Sequence, residues 1–124
     1  MIARDSICAD GASRALGAGG RVAADPALTE ELIDCAAAAR AGTIISVDLF
    51  YEVSEERRAK EALAVEMEAA TLFAVGARAQ VPVGCVLAVT DTFDDSGARN
   101  RIDDHSLHAA AAAMGAVALR AISR

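Results

Sequence analysis

Three short apolar runs, Ile2 to Ala9, Thr43 to Phe50 and Val83 to Val89, are separated by stretches with helical patterning, and that alternation limits the folds open to this chain. Runs rich in β-branched residues and bounded by Gly, Pro or polar clusters read as strands. Strands that alternate with helices need crossover connections, so the expected class is α/β, with a mainly parallel or mixed sheet covered by flanking helices. The 124 residues amount to one domain or a piece of one, and 54% hydrophobic content is enough for a core. With only 3% aromatic residues, Ala, Val, Leu and Ile have to fill it.

Local signals punctuate this alternation. Ile2 to Ala9 reads as a strand running into a turn at Asp10-Gly11. The glycine-rich stretch Ala12 to Val22 reads as a surface loop. It does not lead straight into a helix N-terminus, so it is not expected to cradle a phosphate. Asp25-Pro26 is a helix start, because Asp caps free amides and Pro fits the first turn. That helix is expected to end at Arg40 and Gly42. A second helix is expected from about Met67 to Ala79, with Leu72, Phe73, Val75 and Gly76 against the core. Pro82 disfavours helix at the residue before it. Asp94 to Asn100 reads as a polar loop, and Asp103 or Asp104 as the cap of a last helix through about Ile122. Leu107, Ala111, Met114, Val117 and Leu119 or Ala118 are expected to face inward.

Charge and cysteine content exclude several functions. A net charge of −6 argues against a nucleic-acid partner, which needs a concentrated basic face. The one basic cluster, Arg57, Arg58 and Lys60, is neutralised by Glu55, Glu56 and Glu61 and reads as a solvated, salt-bridged face. Cys8, Cys35 and Cys85 lie in apolar runs as small hydrophobes, with no zinc or redox spacing and no secretory leader. No apolar stretch is long enough to span a membrane. The expectation is a soluble, cytoplasmic protein. His105 and His108 share a helical face but lack a third ligand, so no metal site is expected.

The chemistry-bearing residues gather at one edge of the expected sheet. In parallel sheets ligands collect at the carboxyl ends of strands. Phe50 and Asp91 fall at such ends, and Met67-Glu68 at the entry of an intervening helix. An ionised carboxylate such as Glu68 can accept bonds from two adjacent sugar hydroxyls. An acid such as Asp91 can protonate a departing base, provided that burial raises its pKa. Met67 can pack on the sugar and Phe50 can stack on a base. Taken singly, each has a plainer reading: Glu66 and Glu68 as helix-dipole partners, Asp91 as a turn or cap residue, Phe50-Tyr51 as core aromatics.

Four segments, in order, resemble the nucleoside phosphorylase family, which includes purine nucleoside phosphorylase, uridine phosphorylase and methylthioadenosine nucleosidase. They are Asp10-Gly11-Ala12-Ser13 with Ala24-Asp25, Asp48-Leu49-Phe50-Tyr51, Glu66-Met67-Glu68-Ala69-Ala70-Thr71-Leu72, and Val89-Thr90-Asp91. The interval from Glu68 to Asp91 is the same as in the hexameric purine phosphorylases. The resemblance covers nearly the whole chain, residues 1–124, and matches the C-terminal portion of the family's domain. It implies part of a three-layer α/β/α fold lacking the N-terminal half. By resemblance, Phe50 stacks on the base, Val65 and Glu66 line its pocket, Met67 and Glu68 hold the ribose, Thr90 lies beside the base, and Asp91 is the general acid. Asp91 points to purines, because pyrimidine-specific members lack an acid there; Asp-Gly-Ala-Ser is closer to the uridine enzymes. The spacing of Arg99 and Arg101 from Asp91 departs from the family's arginine, and the Phe50 to Glu66 segment is shorter than usual.

The implied activity is pentosyl transfer: phosphorolysis of a purine nucleoside to free base and ribose 1-phosphate. Inorganic phosphate is the co-substrate, with no cofactor and no metal. Two alternatives stand beside it. One is a nucleosidase that uses water. The other is a truncated or split-gene fragment, inactive alone and acting as an assembly module. The family's phosphate loop and phosphate-holding arginines belong to its first half, so a homo-oligomer or a partner chain is expected to supply them.

Overall fold

A computed structural model describes residues 1–49, 61–94 and 96–123. Its centre is the parallel pairing of β1 (Ile2–Ala9) with β3 (Ala41–Val47), from Ile2 opposite Ala41 to Ala9 opposite Val47. The register slips between Ala3 and Asp5, so Arg4 is bulged out of the ladder. Arg4 points to solvent and pairs with Glu30 at 2.7 Å. The other edge of β1 is shared by two short antiparallel strands. β2 (Arg21–Ala23) pairs with Asp5–Ile7, and β5 (Cys85–Val86) with Ile2 and Ala3. Beyond β3, β4 (Val65–Glu66) adds in parallel, giving a mixed five-stranded sheet.

Helices cover both faces. Successive strand residues point to opposite sides, and here Ile2 packs with Leu32 and Ala121, while Ala3 packs with Ile44, Ala69 and Phe73. Helices α2 (Pro26–Cys35) and α4 (Asp104–Ile122) therefore form one layer and α3 (Ala69–Ala79) the other. Ile44, Ile45, Ser46 and Val47 are all buried, as a central strand covered on both faces requires. Phe73 is the largest fully buried side chain, and the rest of this core is built from small aliphatic residues.

Several expected boundaries move. The glycine-rich stretch is not all loop, since it holds a short helix α1 (Gly11–Ala15), capped by Asp10, and the start of β2. Asp25 caps α2 as expected, its Oδ1 accepting from the Leu28 amide at 2.8 Å, but the helix stops at Cys35 rather than Arg40. Residues 36–40 instead carry the chain back to the sheet, where the Arg40 carbonyl accepts from the Ile2 amide. Only Cys85–Val86 of the run Val83 to Val89 is strand, because β2 already occupies the next stretch of the β1 edge. In α3 the buried stripe is Ala69, Ala70, Phe73, Ala74 and Gly76, which leaves Leu72 and Val75 outward. Asp103 caps α4, whose fully buried residue is Ala121; Ala111 and Leu119 face solvent and Leu107, Met114 and Val117 are half-buried. The polar loop after Asp91 is a hairpin, β6 (Asp91–Phe93) with β7 (Arg99–Arg101), in a separate two-stranded sheet. Of the cysteines, all free, Cys8 is buried and Cys35 and Cys85 are half-buried. No helix among the described residues is long and apolar enough to cross a membrane.

Gly76 is where α3 comes closest to the chain that follows it. A Cβ there would overlap the Val83 side chain and lie 2.9 Å from the Val81 carbonyl oxygen. Gly76→Ala is therefore expected to destabilise the fold by about 1–3 kcal/mol, despite alanine's better helix propensity. Urea unfolding followed by circular dichroism measures it, and an unchanged or raised midpoint would refute the close packing.

Candidate functional site

Strands β1, β3 and β4 end at one edge of the sheet, and the chain there is tied into two hydrogen-bonded clusters. The first holds the start of α3. Glu66, the last residue of β4, uses one carboxylate oxygen, Oε2, to accept from the amides of Glu68 (2.8 Å) and Ala69 (2.7 Å). Its other oxygen, Oε1, accepts from the hydroxyl of buried Ser46 on β3. Ser46 Oγ in turn accepts from the Ala70 amide at 2.8 Å and lies 2.9 Å from the Ser6 hydroxyl on β1. Three free amides at the helix start are thus satisfied by groups from two strands. A negative charge at this end is also favoured by the helix dipole.

The second cluster ties α1 to α3 and β3. Asp10 is 2% exposed, and its carboxylate accepts from the Ser13 amide (2.7 Å), the Ser13 hydroxyl (2.5 Å) and the Thr71 hydroxyl (2.9 Å). Burial alone would raise its pKa, but the bonds from Ser13 and Thr71 outweigh that effect and hold it below the ordinary Asp value. Asp48, just past β3, accepts from the Gly11 amide at 2.9 Å.

Against this frame the expected site residues separate. Val65 and Met67 are exposed, at 51% and 39%, beside the capped turn. Glu68 is also exposed, and among the described residues its carboxylate receives a single long contact, 3.3 Å from the Met67 amide. Glu66 differs from a pocket-lining residue open to ligand, because both its oxygens are engaged in holding α3. Phe50 lies outside the described residues.

Asp91 departs most from expectation. It begins β6 rather than closing a long apolar strand, and its pKa is lowered, not raised. The Thr90 hydroxyl donates to Asp91 Oδ2 at 2.6 Å, and Arg99 Nε and its terminal nitrogen both reach Oδ1 at 2.6 Å. These bonds outweigh desolvation, so Asp91 is a carboxylate in this state. The hairpin register sets Arg101 opposite Asp91 and Arg99 opposite Phe93 on the same face, and of these two arginines, neither assigned to the acid from their spacing in sequence, Arg99 makes the bonds to it. Cys85, near Glu66 and Glu68, has its thiol pushed up to about 11 by burial and by those carboxylates, which disfavours the thiolate. Among the described residues no group of acids, His and Cys is arranged to hold a metal.

Ser46, Ser6, Asp10 and Thr71 were not singled out from sequence for the work they do. Serines inside an apolar run such as Thr43 to Phe50 are the visible signal, since a buried hydroxyl has to find partners.

A sequence model of the phosphorylase superfamily matches residues 1–123, and the chain belongs to that superfamily. It is similar to the DeoD-type purine nucleoside phosphorylase of Dichelobacter nodosus (strain VCS1703A), being 41% identical over 76 residues, which cover 55% of this chain and 32% of that protein. Among solved structures it is similar to the 5′-methylthioadenosine/S-adenosylhomocysteine nucleosidase of Neisseria meningitidis in complex with methylthio-immucillin-A. That match has a TM-score of 0.67 and 25% identity, over 98% of this chain and 59% of that one. The fold is shared with the futalosine hydrolase of Helicobacter pylori strain 26695, at a TM-score of 0.62 and 20% identity, over 98% of this chain and 57% of that one. The chain thus spans about a third of the curated relative's length and under three fifths of either structure's.

Asp10 supplies a pH-dependent test of the second cluster. Because its folded pKa lies below the unfolded value near 3.8, its contribution is complete above that value and is lost as pH falls through the folded pKa. Asp10→Asn is expected to cost about 1–3 kcal/mol at neutral pH. The gap from the natural chain should narrow as pH drops below about 4. Urea midpoints across the acid range measure this, and a gap constant with pH would contradict it.

Proposed function

We propose that this chain carries the nucleoside-gripping part of an enzyme that cleaves the N-glycosidic bond of purine nucleosides, with inorganic phosphate as the attacking co-substrate. The observation that carries the reading is the exposed Met67-Glu68 pair at the carboxyl edge of the sheet, anchored by Glu66 and α3, in a chain of the phosphorylase superfamily. Glu68 would accept bonds from both ribose hydroxyls and Met67 would pack on the sugar ring. Val65, Thr90 and Phe50 would border the base, with Glu66 held back by its bonds to Ser46 and the start of α3. As the bond breaks, the sugar gains oxocarbenium character and the purine gains negative charge, so a base nitrogen becomes able to share a proton with Asp91. Because the Thr90 hydroxyl and Arg99 hold Asp91 ionised, the incoming base would have to displace Arg99 and Asp91 take up a proton from solvent before it can act as the acid. Groups that grip phosphate, which the family carries in its first half, would come from outside residues 1–124.

Phosphorolysis is favoured by the curated relative, whose name is that of a phosphorylase. A second reading, hydrolysis by water, is favoured by the solved structure at 25% identity, which is a nucleosidase. Product analysis separates them, since ribose 1-phosphate forms only in phosphorolysis, and free ribose formed equally with and without phosphate would overturn the first reading. Asp91→Asn is expected to lower turnover about 10²–10⁴-fold, the usual contribution of a general acid. Nucleoside affinity measured by calorimetry should change far less. Turnover retained in that variant would remove Asp91 from the role.

A further inference from the structure

The structure assigns Ser46 as a positioning residue for the ribose grip, acting through Glu66 on Glu68. This rests on the reading of Glu68 as the residue that holds the ribose hydroxyls.

A serine hydroxyl has one proton to donate and two lone pairs that accept. With Glu66 ionised, the Ser46 proton goes to Glu66 Oε1. One Ser46 lone pair takes the Ala70 amide at 2.8 Å. The remaining lone pair can be filled only by a donor, so the contact with Ser6, 2.9 Å away, runs from the Ser6 hydroxyl to Ser46. The hydroxyl is therefore saturated, and its direction is set: Ser6 donates to Ser46, and Ser46 donates to Glu66. Both serines are fully buried, so water cannot substitute for either partner.

Glu66 passes this order to the site. With Oε1 fixed by Ser46, Oε2 sits where it accepts the amides of Glu68 and Ala69. The Glu68 backbone is thereby pinned just before α3, while its own carboxylate stays exposed and, among the described residues, accepts only the long contact from the Met67 amide. A residue whose main chain is held and whose side chain is free suits the task of holding a diol in fixed geometry. Removing the Ser46 hydroxyl leaves the Ala70 amide without its acceptor, leaves the Ser6 hydroxyl only its longer contact to the Ile7 carbonyl at 3.4 Å, and frees Glu66 to rotate away from the turn. The predicted consequence is a selective loss of affinity for the ribose diol, with no change in affinity for the base.

Calorimetric titration of the full chain tests this with adenosine, inosine and guanosine, their 2′,3′-dideoxy analogues and the free bases. For whichever ribonucleoside binds, Ser46→Ala is expected to weaken binding about tenfold. Affinity for the dideoxy analogue and the base should be unchanged. Glu66→Gln, whose single carbonyl oxygen cannot accept from both the Ser46 hydroxyl and the Glu68 and Ala69 amides, should show the same selective loss. It serves as the second variant if Ser46→Ala does not fold by circular dichroism. Ser46→Thr, which restores the hydroxyl, should recover the discrimination. Equal weakening of all ligands, or none, in both Ser46→Ala and Glu66→Gln overturns the inference while leaving the ribose role of Glu68 standing. If the natural chain binds no ribonucleoside, or does not distinguish ribose from dideoxyribose and Glu68→Gln changes nothing, the ribose reading falls and this inference falls with it.

Discussion

The parallel pairing of β1 with β3 is the contact on which the molecule depends. It sets the two strands edge to edge over their full length, so that groups from distant parts of the sequence meet at their carboxyl ends. Ser6 and Ser46 touch because of it, and Asp10, just past β1, comes within reach of Thr71 on α3, while Asp48, just past β3, reaches Gly11. Both faces of this pair are covered, which makes every unpaired polar group between them costly and explains why each buried hydroxyl here has a partner. The helices are then fixed by caps drawn from the strand ends rather than by aromatic packing, which this chain largely lacks.

Much of this was legible in the residues because short-range physics fixed it. β1 follows its apolar pattern over the expected residues, and Asp25-Pro26 opens α2 where a capping acid and an N-terminal proline should. The superfamily could be read from the Glu66-Met67-Glu68 turn and its companions because those segments are local. What was not legible depended on pairing. The alanines after Cys35 favour helix, yet the sheet needs them as a return path. Val83 to Val89 has strand composition, yet β1 offers it only a short free edge. Nothing in the spacing of Arg99 from Asp91 shows that a hairpin will bring them together, and so the charge state of Asp91 could not be read from its apolar approach.

The two acids of the Glu-Met-Glu turn illustrate the same division. In sequence Glu66 and Glu68 are equivalent carboxylates flanking a methionine. In the fold one is committed to holding the backbone and the other is left open. Their difference comes from the adjacent strand, because β4 pairs with β3 and sets Glu66 opposite Ser46. A motif of two acids is thus one structural and one presenting carboxylate, a distinction that only the neighbouring strand supplies.

The capped start of α3 also bears on where an anion can bind. Helix N-termini commonly receive phosphate through their free amides. Here the amides of Glu68, Ala69 and Ala70 already face the Glu66 carboxylate and the Ser46 hydroxyl, so the chain carries its own resident anion at that position. An incoming phosphate would meet a negative charge there rather than a vacant dipole. The start of α3 is therefore electrostatically closed to a second anion, although a helix start is ordinarily where one would settle.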